Sequence, residues 1–153
     1  MARSAGDRPA HKRQSVRPLG GFRGHVWQSA LFPDGRAFGY IAYPPRDSDG
    51  RAYNEGYIYQ DGRMHLGRTT VTPWLRRIIP RGDDVSLEIE TDLGKTRIAG
   101  TTIASYYYVK HPMMPGLDLQ QAGVRYEWGG STAYGMLERS SSSDLTTVVE
   151  PAT

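Results

Sequence analysis

Four short glycine-bearing turns, each set between two runs of alternating apolar and polar residues, constrain this chain more than any other feature. HVWQSALF (25–32) and AFGYIAY (37–43) flank PDGR, and EGYIYQ (55–60) and MHLGRTTVT (64–72) flank DGR. VSLEIET (85–91) and TRIAGTTIASYYYV (96–109) flank DLGK, and GVRYEW (123–128) and TAYGMLE (132–138) flank GGS. Asp-Gly and Gly-Gly at a hairpin tip supply the positive φ values that tight hairpin turns require. The pattern predicts four hairpins in sequence order and no helix long enough to cover a sheet. Open sheets expose unpaired edges, and closure removes them. The expected fold is therefore all-β, an eight-stranded antiparallel up-and-down barrel built from four hairpins. A barrel of this size either holds one small ligand or is filled by its own side chains; the pattern allows both.

Register can be read from the pairing of side-chain types. With DLGK as a four-residue loop, Glu90 faces Arg97 and Ile89 faces Ile98, so charges share one face and apolar residues the other. A two-residue turn there would place Leu93 at positive φ, which favours the longer loop. In the fourth hairpin, a Gly129-Gly130 turn pairs Tyr126 with Ala133 and Arg125 with Tyr134. The complete ladder on both sides argues against a phosphate-binding loop, which needs a helix directly after its glycines. In the first hairpin, a turn at Asp34-Gly35 groups His25, Trp27, Leu31, Phe38 and Tyr40 on one face. Val26, Gln28, Ala30, Phe32, Ile41 and Tyr43 share the other, so both faces read as largely apolar. In the second, Glu55, Tyr57, Tyr59, Met64, Leu66 and Arg68 share a face.

Two longer connections interrupt the hairpins. PWLRRIIPRGDD (73–84) is bounded by prolines, leaves room for one short helical turn, and offers Trp74, Leu75, Ile78 and Ile79 as a plug for one end. KHPMMPGLDLQ (110–120) has the length and the methionines of a lid. The organisation expected is a basic N-terminal arm (1–23), one barrel (24–139) and a loosely held tail (140–153).

At 153 residues the chain has the size of one domain and enough mass to bury a core unaided. It contains no cysteine, which excludes disulfides and thiolate metal sites and suits a reducing, cytoplasmic setting. No apolar run is long enough to span a bilayer, and the basic N-terminal residues have no apolar segment behind them, so neither membrane insertion nor a secretory signal is expected. The net charge of +3 is concentrated at the front, where Arg3, Arg8, Lys12, Arg13, Arg17 and Arg23 face only Asp7. Such an arm could meet nucleic acid or an anionic membrane. The remaining body shows no nucleic-acid-binding motif, and a solvated arm without a nucleic-acid partner is the simpler expectation.

The stretches RSAGDR (3–8), HVWQSALFPDG (25–35), EGYIYQDGRM (55–64) and RYEWGGSTAYGMLERS (125–140) resemble the second half of the carotenoid 1,2-hydratase and AttH-like group of lipocalin-like proteins. The resemblance implies a calycin-type barrel and an apolar ligand. Members of that group carry two such barrels in one chain, and some hydrate, cyclise or isomerise hydrophobic polyenes without a redox cofactor. One barrel is present here, and Ala5 and Asp7 depart from the RSWGxR-like pattern of the group.

Site chemistry is sparse. Histidines 11, 25, 65 and 111 lack metal-site spacing, no G-x-S-x-G elbow occurs, and no dinucleotide fingerprint is present, so no metal and no cofactor are expected. The functional reading requires a carboxyl group inside an apolar lumen, where desolvation keeps it protonated and able to donate to an alkene or epoxide. Glu127 and Glu138, with Tyr134 beside them, are the catalytic candidates. His25, Trp27, Tyr40, Tyr57, Tyr59, Met113, Met114 and Trp128 are the ligand-binding candidates. The expected function is enclosure of a hydrophobic small molecule, with cofactor-free cyclase, isomerase or hydratase chemistry. The alternative is a non-catalytic carrier or interaction module. A first hairpin apolar on both faces, with no second barrel to cover it, predicts a homodimer.

Overall fold

The computed structural model describes residues 23–44, 53–109 and 116–142, together with the backbone of 147–148. The arm 1–22 and the lid residues Met113 and Met114 lie outside them. Among the described residues ten strands follow in chain order: β1 (Gly24–Leu31), β2 (Ala37–Tyr43), β3 (Tyr53–Gln60), β4 (Arg63–Val71), β5 (Arg77–Ile78), β6 (Leu87–Thr91), β7 (Gly94–Tyr108), β8 (Leu117–Trp128), β9 (Ser131–Ser142) and β10 (Thr147–Val148). Eight of them close into an antiparallel barrel in the order β1-β2-β3-β4-β6-β7-β8-β9, with β9 returning to β1. The four hairpins and their up-and-down connectivity are those expected.

The fourth hairpin has the register expected, with Tyr126 opposite Ala133 and Arg125 opposite Tyr134. The first does not. Ala30 pairs with Phe38, Gln28 with Tyr40 and Val26 with Ala42, which places Phe38 and Tyr40 on the same face as Val26, Gln28 and Ala30. The turn is longer than two residues: the Phe32 amide donates to the Arg36 carbonyl at 2.7 Å, enclosing Pro33, Asp34 and Gly35, and Gly35 takes φ of +84°. A one-residue slip turns one strand over against its partner. The correct register sorts the hairpin into a buried face and a face bearing His25, Trp27, Leu31 and Ile41. The third hairpin also differs, since Thr91 pairs with Gly94 around Asp92-Leu93. Positive φ falls on Gly94 and not on Leu93, which removes the objection to a short turn. Because this shift is an even number of residues, Leu87, Ile89 and Ile98 still share the inner face.

Alternation decides which residues fill the interior. Val26, Phe38, Ile58, Ile89, Ile98 and Leu137 come from six different strands and are all fully buried. Strand β7 changes its inward parity at an irregularity between Thr102 and Ala104, so Ile98 and Thr102 point inward before it and Ser105 and Tyr107 after it.

The hairpin tips gather at one end of the barrel, and residues 72–86 close the other. Leu75, Ile78 and Val85 are buried and Trp74 packs against the core, so the segment plugs the barrel as expected. It contains no helical turn: prolines 73 and 80 disfavour helical geometry in the residues before them, and β5 runs extended, parallel to β10. Leu117–Gln120, read as lid, form the start of β8, and Ser140–Ser142, read as tail, complete β9 in the barrel wall.

Candidate functional site

The lumen is lined by apolar side chains at the hairpin end and by polar ones towards the plug. Phe32 packs edge-on against Trp128 at 5.5 Å, and Phe38 does the same against Tyr126 at 5.0 Å. Arg36 lies 4.2 Å over the Trp128 ring and donates to its carbonyl, sealing that end. Deeper in, the Tyr126 hydroxyl donates to Gln28 Oε1 at 3.0 Å. Burial pushes the Tyr126 phenol well above its ordinary range. The Tyr40 hydroxyl is also buried, and among the described residues it is the buried side-chain polar atom without a hydrogen-bond partner. Burial raises its pKa first, the neighbouring Tyr126 raises it further, and Arg139 opposes both.

Arg139 joins this interior to the plug. Its guanidinium donates to Gln120 Oε1 at 2.5 Å and to the Pro73 carbonyl at 3.0 Å, and it pairs with the Asp83 carboxylate. Tyr107, which accepts from the other end of the Gln120 amide at 2.8 Å, donates to the Ile79 carbonyl at 2.5 Å. Among the described residues, the polar groups that Arg139 meets are thus supplied by a barrel strand or by the plug.

Of the ligand-binding candidates, Tyr40 and Trp128 line the lumen. His25, Trp27, Tyr57 and Tyr59 stand on the outer wall, where the Tyr57 ring covers Gly39. The catalytic candidates are also outside. Glu127 has 52 % of its side chain exposed and pairs with Arg125 on the same strand, and Tyr134 is 68 % exposed. Next to these residues on β8 and β9, the lumen is filled by Tyr126, Trp128, Ala133 and Leu137, so strand alternation turns Glu127, Tyr134 and Glu138 away from the lumen in which the carboxyl acid was expected.

Closure of β9 on β1 brings two of the named residues together with one that was not named. His25 lies opposite Ser140, and Trp27 opposite Glu138. The His25 ring spans the two: its Nδ1 is 2.6 Å from Ser140 Oγ and its Nε2 is 3.0 Å from Glu138 Oε1. The second Glu138 oxygen accepts from Gln121 Nε2 at 2.6 Å. A carboxylate only accepts, so a neutral His25 carries its proton on Nε2 and leaves Nδ1 to accept from the Ser140 hydroxyl. Ser140 was set aside with the tail serines. Its only sequence signal is its spacing of two from Glu138, which puts both on one face of a strand.

Ser140 also borders a cleft of about 70 Å³ at the plugged end, lined by Arg23, Pro44, Trp74, Leu75, Arg76 and Ser141. A shallow groove of about 370 Å³ crosses the outer wall between β7 and β9, floored by Gly123 and flanked by Tyr106 and Met136. Among the described residues, no three histidine or acidic side chains are grouped to hold a metal ion, and no helix is long and apolar enough to cross a membrane. Comparison with protein-family models, curated proteins and solved structures finds no match to this chain.

Proposed function

We propose that the chain is a lipocalin-like interaction module, a filled barrel that recognises its partner through the outer wall and pairs with a second copy of itself in the cytoplasm. The observation that carries this reading is the packing of the lumen, where Phe38, Ile58, Ile98, Val124, Tyr126 and Leu137 meet with no exposed surface. A barrel filled in this way serves as a scaffold. Its outer wall, by contrast, leaves Trp27 and Leu31 of β1, Tyr134 and Met136 of β9, and Ile103 and Tyr106 of β7 exposed, with Met136 lying between Ser29 of β1 and the side-chain-free Gly123 of β8. Contiguous apolar surface of this kind marks interaction sites. The resemblance to the two-barrel carotenoid hydratase and AttH-like group supports the same conclusion, since there a second barrel is at hand to cover such a wall.

Light scattering on a sizing column tests it. The wild type is expected at about twice the chain mass at micromolar concentration, and Met136→Glu at the mass of one chain. A wild type that stays monomeric at high concentration rejects the dimer.

One observation favours the enclosed hydrophobic ligand instead. The unpartnered Tyr40 hydroxyl is the group that would anchor an oxygen on an otherwise apolar molecule. Under that reading terpenoids or polyenes raise the melting temperature of the wild type, and Tyr40→Phe loses the rise. An unchanged melting temperature across such a panel sets the ligand, and with it any cyclase, isomerase or hydratase activity, aside.

A further inference from the structure

We infer that Ser140, His25 and Glu138 form a nucleophilic serine site at the plugged end of the barrel, one that takes small carboxylic esters. The inference is independent of the proposed dimer and of the lumen. Its basis is an unbroken relay across three neighbouring strands. Gln121 on β8 holds one oxygen of Glu138 on β9 at 2.6 Å, the other oxygen holds His25 Nε2 on β1 at 3.0 Å, and His25 Nδ1 meets Ser140 Oγ on β9 at 2.6 Å. A nucleophile, a base within hydrogen-bond reach and a third group orienting the base are the parts that an activated serine requires, whatever the fold. The nitrogens exchange their usual places, with the carboxylate on Nε2 and the hydroxyl on Nδ1. The proton bookkeeping is unaffected, because one ring nitrogen donates to the carboxylate and leaves the other as the base. The His25 amide also donates to Ser140 Oγ at 3.2 Å, fixing the oxygen from a second direction.

The surroundings define the substrate. Ser140 is only 2 % exposed and is one of the residues lining the cleft of about 70 Å³, whose size suits a short acyl group and not a chain. Trp74, Leu75 and Pro44 give it apolar walls, and Arg23 and Arg76 also line it, which supplies cationic side chains to a cleft in which an oxyanion would develop. In the first step Ser140 Oγ bonds to the ester carbonyl carbon while its proton passes to His25 Nδ1. The carbon–oxygen bond to the alcohol then breaks, and the same proton leaves with the alkoxide. Water next attacks the Ser140 ester, gives a proton to His25, and releases the carboxylic acid as the proton returns to Ser140. Glu138 holds the imidazole in the required tautomer and is a positioning residue.

The test uses the full chain with p-nitrophenyl acetate and, separately, a small phosphonofluoridate, followed by peptide mass spectrometry. The wild type is expected to hydrolyse the ester, and the phosphonate to attach at Ser140 in one-to-one ratio. His25→Asn is expected to slow both by roughly a hundredfold or more, and Glu138→Gln to shift the pH profile of labelling while Ser140 remains the labelled residue. A surface imidazole alone hydrolyses this ester slowly, so activity that survives Ser140→Ala overturns the inference. So does a folded wild type, verified by circular dichroism, that takes no label or takes it elsewhere.

Discussion

The two ends of the barrel are closed by different physics. At the hairpin end the chain turns back within two or three residues, and closure comes from aromatic faces: Phe32 against Trp128, with Arg36 stacked above and tied to Asp34 two residues away. At the other end a peptide segment is drawn across the opening and fastened by polar groups far away in sequence. Arg139 reaches Pro73 and Asp83, Tyr107 reaches Ile79, and Thr102 takes the Asp83 amide at 2.9 Å. Local turns need only the right residues at the tip. A fastened plug needs the whole wall in place, and it is at that end that chemically competent groups collect.

Arg139→Met should separate the two ends most sharply. It leaves Asp83, Gln120 Oε1 and the Pro73 carbonyl without their donor, and breaking a buried pair of this kind costs about 3–5 kcal/mol. Urea unfolding measures the loss. Hydrogen exchange locates it: amides of Gly82 and Val85 should exchange faster, with those near Gly35 and Gly129 unchanged. Equal acceleration at both ends would show a single cooperative closure. Phe32→Ala tests the opposite end and should cost about 3–5 kcal/mol through lost burial and the cavity left behind, without a change in exchange at the plug.

Tyr40 lies between the two regions. In the filled barrel its hydroxyl is desolvated without compensation, so Tyr40→Phe should stabilise the fold by about 1–3 kcal/mol, read as a raised urea midpoint with an unchanged slope. The smallest effect belongs to Asp34. Hydrogen bonds from the Arg36 side chain, then from its amide, hold the carboxyl down at about 2. A depressed folded pKa stabilises above the unfolded value, near 3.9, and that contribution is lost as pH falls through the folded one. A carboxyl carbon titration should therefore place Asp34 near 2, with the first turn loosening between about pH 4 and 2. A midpoint near 4 would mean that the Arg36 contact does not persist in solution.

The sequence made the barrel legible because turn chemistry and alternation are local signals. Gly129-Gly130 fixed the fourth hairpin to the residue. PDG hid a third loop residue and turned the first hairpin over, while the misjudged loop at DLGK did no harm to the faces because the shift was even. The plug was visible as an apolar segment between prolines, but its fastening was not, since nothing near Asp83 announces Arg139. The same holds for the outer site. His25 and Glu138 could each be named, but their meeting depends on the pairing of the first barrel strand with the last, for which no neighbouring residue carries a signal. Glu127 was misplaced for a simpler reason, because alternation defines two faces without saying which one looks inward.

The return of β9 to β1 also has a kinetic consequence. Each hairpin needs only a short loop to close, whereas the contact between His25 and Ser140 joins residues 115 positions apart. Contacts of such separation form after local ones, because the entropy of closing the long intervening loop must be overcome before they contribute. A refolding chain should regain its strand signal in circular dichroism before these two side chains meet, so a probe of the Ser140 hydroxyl would report the final seam of the barrel and nothing earlier.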